Sequence, residues 1–141
     1  MSYCLDTSFL VSILFPDSHT SRAFAWLEAP PRTIYVSDWA ATEFFALVRR
    51  RTRTALVDPE VAEAALVEFE AFASSRAQRL PQSAPAGAHA AELARALELK
   101  LSAADALHLA LSAEGRHCLV TFDARLADAA LAAGFRAEIP P

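Results

Sequence analysis

Apolar residues fall in two rhythms along this chain, short runs of strand length and longer stretches with apolar positions three and four apart. Residues 2–6 (SYCLD) read as a short buried strand, after which Thr7 or Ser8 caps a helix that stops near Pro16. Asp17 to Thr20 offer caps for a second helix through SRAFAWLE, ended by Pro30 and Pro31. TIYVS (33–37), β-branched and aromatic, is a second strand leading into a helix through ATEFFALVRRR. Asp58 followed by Pro59 starts a helix whose apolar stripe is Val61, Ala65, Phe69 and Phe72. QRLPQ (78–82) is a third, short strand; Pro85 to about Leu99 is a helix, and Ser102 starts another through about Ala113. HCLVTF (117–122) is the clearest strand, ARLADAALAAG is a helix ending at Gly134 in a left-handed terminator, and FRAEI is a final edge strand.

Strands alternating with helices predict an α/β domain with a mostly parallel sheet. No boundary, repeat or long linker interrupts the pattern, so residues 1–141 are expected to form one domain, long enough to bury a core without staples. Composition agrees: 54% of residues are hydrophobic, far from the disordered class. Pro16 and Asp17 cut the first apolar run short of a membrane span. The first residues carry neither a basic region nor a cleavage pattern, which argues against a signal peptide. Cys4 and Cys118, each in an apolar context, fit a reducing cytoplasm better than a disulfide framework.

Only Gly87, Gly115 and Gly134 occur, too far apart for a phosphate-cradling loop, which excludes a P-loop or dinucleotide fingerprint. The formal net charge of −4 makes the whole surface no magnet for nucleic acid. The local run VRRRTR, with Arg49, Arg50, Arg51 and Arg53, is either a solvated helix end favoured by the helix dipole or a phosphate-binding patch.

Four acids sit in apolar company: Asp6, Glu43 in AATEFFALV, Asp105 in SAADALHLALS and Asp123 in CLVTFDARLA. Singly, each has a structural account. Asp6 and Asp123 can cap helices, Ser102 and Asp105 match the Ser-x-x-acid capping box, and Glu43 can sit on a helix surface. Together they do more, since Asp6 and Asp123 both follow strands and so share the carboxyl edge of the sheet, where ligands collect. Clustered carboxylates repel, and a divalent cation removes that penalty. Oxygen ligands favour Mg²⁺ or Mn²⁺ over zinc. His19, His89, His108 and His117 show no ligand spacing; His108, one turn from Asp105, is expected in a core or hydrogen-bonding role.

The segments YCLDTSFLV, SDWAATEFFALVRR, LSAADALHLALS and LVTFDARLADAALAAGF resemble the ordered motifs of PIN-domain ribonucleases, and more narrowly the VapC-type toxins of bacterial toxin–antitoxin pairs. The resemblance runs from residue 3 to about residue 139. It implies a PIN-like α/β/α sandwich around a short parallel sheet, Mg²⁺- or Mn²⁺-dependent endoribonuclease activity, a homodimer, and inhibition by a small antitoxin protein. Carried over by position, Asp6, Glu43, Asp105 and Asp123 match the family's acidic quartet. Thr7 and Ser8 match small hydroxyl residues that orient Asp6 or a metal-bound water, and Thr121 matches the hydroxyl residue two before the last acid. Phe122 stands where the family often has Asn, so any contact of that side chain is absent here; Asp128 is a weaker outer candidate.

The expected chemistry is hydrolysis of an RNA phosphodiester, with Asp6 and Asp105 as metal ligands and Glu43 and Asp123 completing the site. Arg49, Arg50 and Arg53 would track the RNA backbone or pair with an acidic antitoxin segment. Two rivals stand beside this reading. One is a non-catalytic PIN-like module binding RNA or protein. The other is an aspartate-based phosphatase, weakened because Ser8 occupies the second position of the Asp-x-Asp pattern.

Overall fold

A computed structural model describes residues Met1–Pro141. The strands are β1 (Ser2–Leu5), β2 (Thr33–Ser37), β3 (Gln78–Leu80), β4 (Cys118–Val120) and β5 (Ala137–Glu138). The helices are α1 (Thr7–Leu14), α2 (Thr20–Glu28), α3 (Asp38–Arg53), α4 (Pro59–Ser75), α5 (Ala84–Arg95), α6 (Ala103–Glu114) and α7 (Ala124–Ala132), with a 3₁₀ turn at Leu97–Leu99.

All five strands are parallel, in the order β3-β2-β1-β4-β5. The chain builds one half of the sheet outward from β1 through β2 to β3, then returns to the other side of β1 with β4. The order therefore reverses between β1 and β4, the place where open parallel sheets bind ligands. Register fixes what lies there. Leu5 pairs with Val36 on one side and Val120 on the other, and the Asp6 amide donates to the Val120 carbonyl at 2.9 Å. Residues just after Leu5 and just after Val120 are thus neighbours.

Strand side chains alternate between two apolar layers, which makes the sandwich three layers deep. One layer gathers Leu5, Val36 and Val120 with Phe9, Trp26, Phe44 and Phe69 from α1 to α4. The other gathers Leu119 with Leu93, Leu109, Leu111 and Leu126 from α5 to α7. Both cysteines are buried and unpaired, and no helix is long and apolar enough to cross a membrane.

Expected elements recur, with differences at their ends. β1 stops at Leu5 because Asp6 turns to cap α1, and β4 stops at Val120 because, one residue on, the amides of Phe122 and Asp123 donate to the hydroxyls of Ser8 and Thr121 instead of to a strand. The helix expected to reach Leu99 ends at Arg95, and the 3₁₀ turn beyond it closes on Lys100 in the left-handed region at φ 52°. Gly134 at φ +83° ends α7; its amide donates to the Leu131 carbonyl and that of Phe135 to Ala130, the doubly bonded Schellman stop.

Candidate active site

Asp6 is 5% exposed, and its burial is compensated by donors from both sides of the switch point. Oδ1 accepts from the Thr7 amide at 2.6 Å, and Oδ2 from the Ser8 amide at 3.3 Å, the Ser8 hydroxyl at 2.6 Å and the Thr121 hydroxyl at 2.7 Å. Three of those bonds fall on Oδ2, so Oδ1 is the oxygen turned toward the remaining polar groups. The Ser8 hydroxyl also accepts from the Phe122 amide at 2.9 Å, and Thr121 accepts from the Asp123 amide at 2.9 Å. These two hydroxyls fasten α1 to the end of β4.

Glu43 reaches the same place from the middle of α3. Its Oε2 accepts from the Thr7 hydroxyl at 2.7 Å and from Nε2 of His108. His108 Nε2 also lies 3.3 Å from Asp6 Oδ1 and 3.2 Å from the Thr7 hydroxyl. The two hydroxyls thus divide the work: that of Ser8 holds Asp6 while that of Thr7 holds Glu43.

His108 is buried and hydrogen-bonded, as expected, and it also lies inside the acid cluster. Burial by itself would lower its pKa, yet the bond to Glu43 and the charges of Asp6, Glu43 and Asp105 outweigh that and raise it. Glu43 shows the complement. Burial pushes its carboxyl up, while the His108 bond and charge and the Thr7 bond pull it below its usual range. Nδ1 of His108 is buried without a partner. In the neutral ring, a proton on Nδ1 alone would bury an unpaired N–H, at about 1–3 kcal/mol, and forfeit the bond to Glu43, and the charged ring keeps the Nε2 proton as well. Nε2 therefore keeps its proton and serves as a donor. The groups free to take a cation here are oxygens.

Asp105 sits one turn before His108 on α6 and is half-buried. Its Oδ2 accepts from the Ser102 hydroxyl at 2.7 Å while its amide donates to Ser102 Oγ at 3.1 Å, a capping pair made through the hydroxyl. Asp6, Thr7, Glu43, Asp105 and His108 line one pocket of about 470 Å³, with Arg50 and Arg53 on its α3 side. Asp123 is not among its lining residues. It caps α7 through Oδ1, accepting from the amides of Arg125 at 2.9 Å and Leu126 at 3.3 Å, and it connects to Asp6 only through Thr121. Arg49 lies apart as well, in a groove of about 650 Å³ between α3 and α4 that also holds Arg53 and Glu63. Asp128 lines a shallow cleft by α7 beside Lys100 and Arg125.

Phe122 has contacts of its own. Its ring stacks on Phe9 at 5.6 Å and His19 at 4.5 Å, with the Arg22 guanidinium 5.4 Å from its centroid. An aromatic thus fills the space where a polar side chain was the family expectation.

A fold that closes a parallel sheet between two helical layers, with buried carboxylates at its switch point, is the frame of a PIN domain. The PIN domain family model matches residues 3–131, and the chain belongs to that family. Solved structures of VapC-type toxins are among those that the chain is similar to. It is similar over 95% of its length, and 96% of the other chain's, to a Mycobacterium tuberculosis toxin, VapC20, described as cleaving the sarcin–ricin loop, with 25% identity and a TM-score of 0.72. It is similar in fold to VapBC2 of Rickettsia felis, solved bound to a promoter DNA fragment, at 21% identity, 99% and 98% coverage and a TM-score of 0.72. DNA-bound VapBC of Salmonella typhimurium gives 18% identity, 100% and 99% coverage and a TM-score of 0.72. No curated protein matches the chain.

Proposed function

We propose that this protein is the toxin of a toxin–antitoxin pair, an endoribonuclease that hydrolyses RNA phosphodiester bonds with Mg²⁺ or Mn²⁺. The carrying observation is the meeting of Asp6 and Glu43, from segments far apart in sequence, in a pocket that Asp105 also lines. Carboxylate oxygens are the donor set that hard divalent cations select. Asp6 and Asp105 would hold the ion, with Glu43 beside them and Asp123 contributing from outside through Thr121. A bound divalent ion supplies Lewis acidity, lowering the pKa of water and offsetting charge on the phosphate. The protein's own part is positioning. Ser8 and Thr121 fix Asp6 with Oδ1 presented, while Thr7 and the Nε2 proton of His108 fix Glu43.

VapC-type relatives solved as VapBC complexes support a small antitoxin as the protein partner. The protein is read as a single domain that works as a homodimer in the cytoplasm, where two buried unpaired thiols stay reduced.

The test is cleavage of total cellular RNA by wild type and Asp6→Asn, with Mn²⁺ and with EDTA. Wild type is expected to cut only with the metal, and Asp6→Asn not at all while still folded by circular dichroism. Normal cutting by a folded Asp6→Asn protein would refute the proposal, and RNA binding indifferent to EDTA without any cutting would favour the non-catalytic module.

A further inference from the structure

We propose that Arg50 and Arg53 form a backbone-phosphate subsite for single-stranded RNA at the mouth of the acidic pocket; this rests on the nuclease reading above and deepens it. Four arginines crowd the end of α3, and their surroundings divide them. The Arg51 guanidinium stacks 5.2 Å from the Phe15 ring centroid, a packing role. Arg49 opens on the groove between α3 and α4 and not on the acidic pocket, in the company of Glu63 and of Arg53, which reaches both. Arg50 and Arg53 line the pocket that holds Asp6, Glu43 and Asp105.

Helix geometry accounts for the division. Glu43, Leu47 and Arg50 are spaced i, i+4 and i+7 on one stripe of α3, and Arg53, three residues on, sits about 60° further round, between that stripe and the face of Arg49. At the rise of an α-helix, Arg50 lies roughly 10 Å and Arg53 roughly 15 Å along the axis from Glu43. The pocket is therefore polarised, with carboxylates at one end and guanidinium groups at the other.

Neither arginine is neutralised by a neighbour: the ion pairs of the molecule are Arg79–Asp38, His108–Asp6 and His108–Glu43. Both are exposed, permanently charged, and present forked donors that fit phosphate oxygens. On a chain of net charge −4, this lip is where attraction for a polyanion can be local. A nucleic-acid strand suits such a pocket because it repeats its charge: one phosphate meets the cation-binding end and another along the strand meets the arginines. An acidic peptide fits less well, since a carboxylate drawn to Arg50 would bring its neighbours toward Glu43 and Asp105.

The test measures binding of a short single-stranded RNA oligonucleotide by fluorescence anisotropy across a salt series, in Ca²⁺. Each phosphate contact on single strands contributes about 0.7 to the slope of log K against log salt. Arg50→Gln and Arg53→Gln are each expected to lower the slope by about 0.7, and the double variant by about 1.4, with Arg49→Gln unchanged. An unchanged slope in the double variant, or an equal fall in Arg49→Gln, overturns the subsite. So does a double variant that binds RNA normally and loses only the antitoxin. Parallel cleavage assays with Mn²⁺ separate the two claims. A wild type that cuts while the slopes stay flat leaves the nuclease reading standing and the subsite refuted; arginine-dependent slopes without any cutting do the reverse.

Discussion

Replacing Thr121 by Val probes how the site is held rather than what it does. Thr121 is fully buried, and its hydroxyl donates to Asp6 Oδ2 at 2.7 Å while accepting from the Asp123 amide at 2.9 Å. Valine has nearly the same shape and neither bond. A hydrogen bond to a charged group is worth about 1.5–3 kcal/mol, and stranding the half-buried Asp123 amide adds about 1 kcal/mol. Burying a methyl group in place of the hydroxyl returns about 0.8 kcal/mol. The net expectation is a loss of about 2–3 kcal/mol. Urea unfolding in EDTA, followed by circular dichroism, reads this as a lower midpoint at unchanged slope. Thr121→Ser keeps the hydroxyl and should lose about 1 kcal/mol or less, for one methyl group. If Thr121→Val lost under about 0.5 kcal/mol, or if the two variants fell equally, the hydroxyl would not be the fastening argued here.

Two glycines predict opposite signs. A Cβ on Gly115 would lie 2.1 Å from Nε2 of His117, whose ring is stacked on Tyr35 at 4.2 Å and bonded to Ser2, so Gly115→Ala should lose about 1–2 kcal/mol by overpacking. A Cβ on Gly87 in α5 meets nothing within 4 Å, so Gly87→Ala should gain up to about 1 kcal/mol; melting temperatures moving in the same direction would contradict this. Burial alone would raise the pKa of Asp17, but bonds from the Ser12 hydroxyl, the His19 amide and Thr20 outweigh it and lower it from 3.8. A depressed folded value means stability present above the unfolded pKa and lost as pH falls through the folded one. The stability gap between wild type and Asp17→Asn should therefore be full near neutrality and close below 3.8; a gap constant with pH in urea titrations would refute that account.

The fold was legible because its three central strands are short, largely apolar runs, that of β2 β-branched, and its helices are punctuated by Pro, Ser and Asp. What the pattern could not mark was where β1 and β4 give way, since after one last backbone bond each, from Asp6 to Val120 and from Thr121 to Glu138, the amides of Thr7, Phe122 and Asp123 turn to side chains. The rule that ligands gather at the carboxyl edge of a parallel sheet picked out Asp6 and Asp123, of which only Asp6 lines the pocket; Glu43, on a helix, lay outside that rule. His108 was harder. Its partner Glu43 is 65 residues away, and in a helix segment as buried as Leu109 to Ser112 a histidine reads as core. Arg49 and Arg50 were separable in principle, since only Arg50 falls at i+7 from Glu43, but the run of adjacent arginines hid the periodicity.

The choice between a helix cap and a functional acid turns out to be no choice, because a carboxylate has two oxygens. Asp6 commits Oδ2 to three donors and faces His108 with Oδ1. Asp105 commits Oδ2 to Ser102, and Asp123 commits Oδ1 to the first amides of α7. Each cap fixes a side chain that a mobile surface acid would leave free, so the entropy of ordering the site is met during folding. Each also sets the carboxylate against the positive end of a helix dipole, which lessens the repulsion among acids. On this account Asp6→Asn must place its one oxygen where Oδ2 now takes three donors, and it loses the bond from the Thr7 amide to Oδ1, a loss that works against any relief of repulsion among the acids. Glu43 is the exception that supports the argument. It sits in the middle of α3, where no helix end can hold it, and it is the acid to which the chain has brought both a hydroxyl and an imidazole.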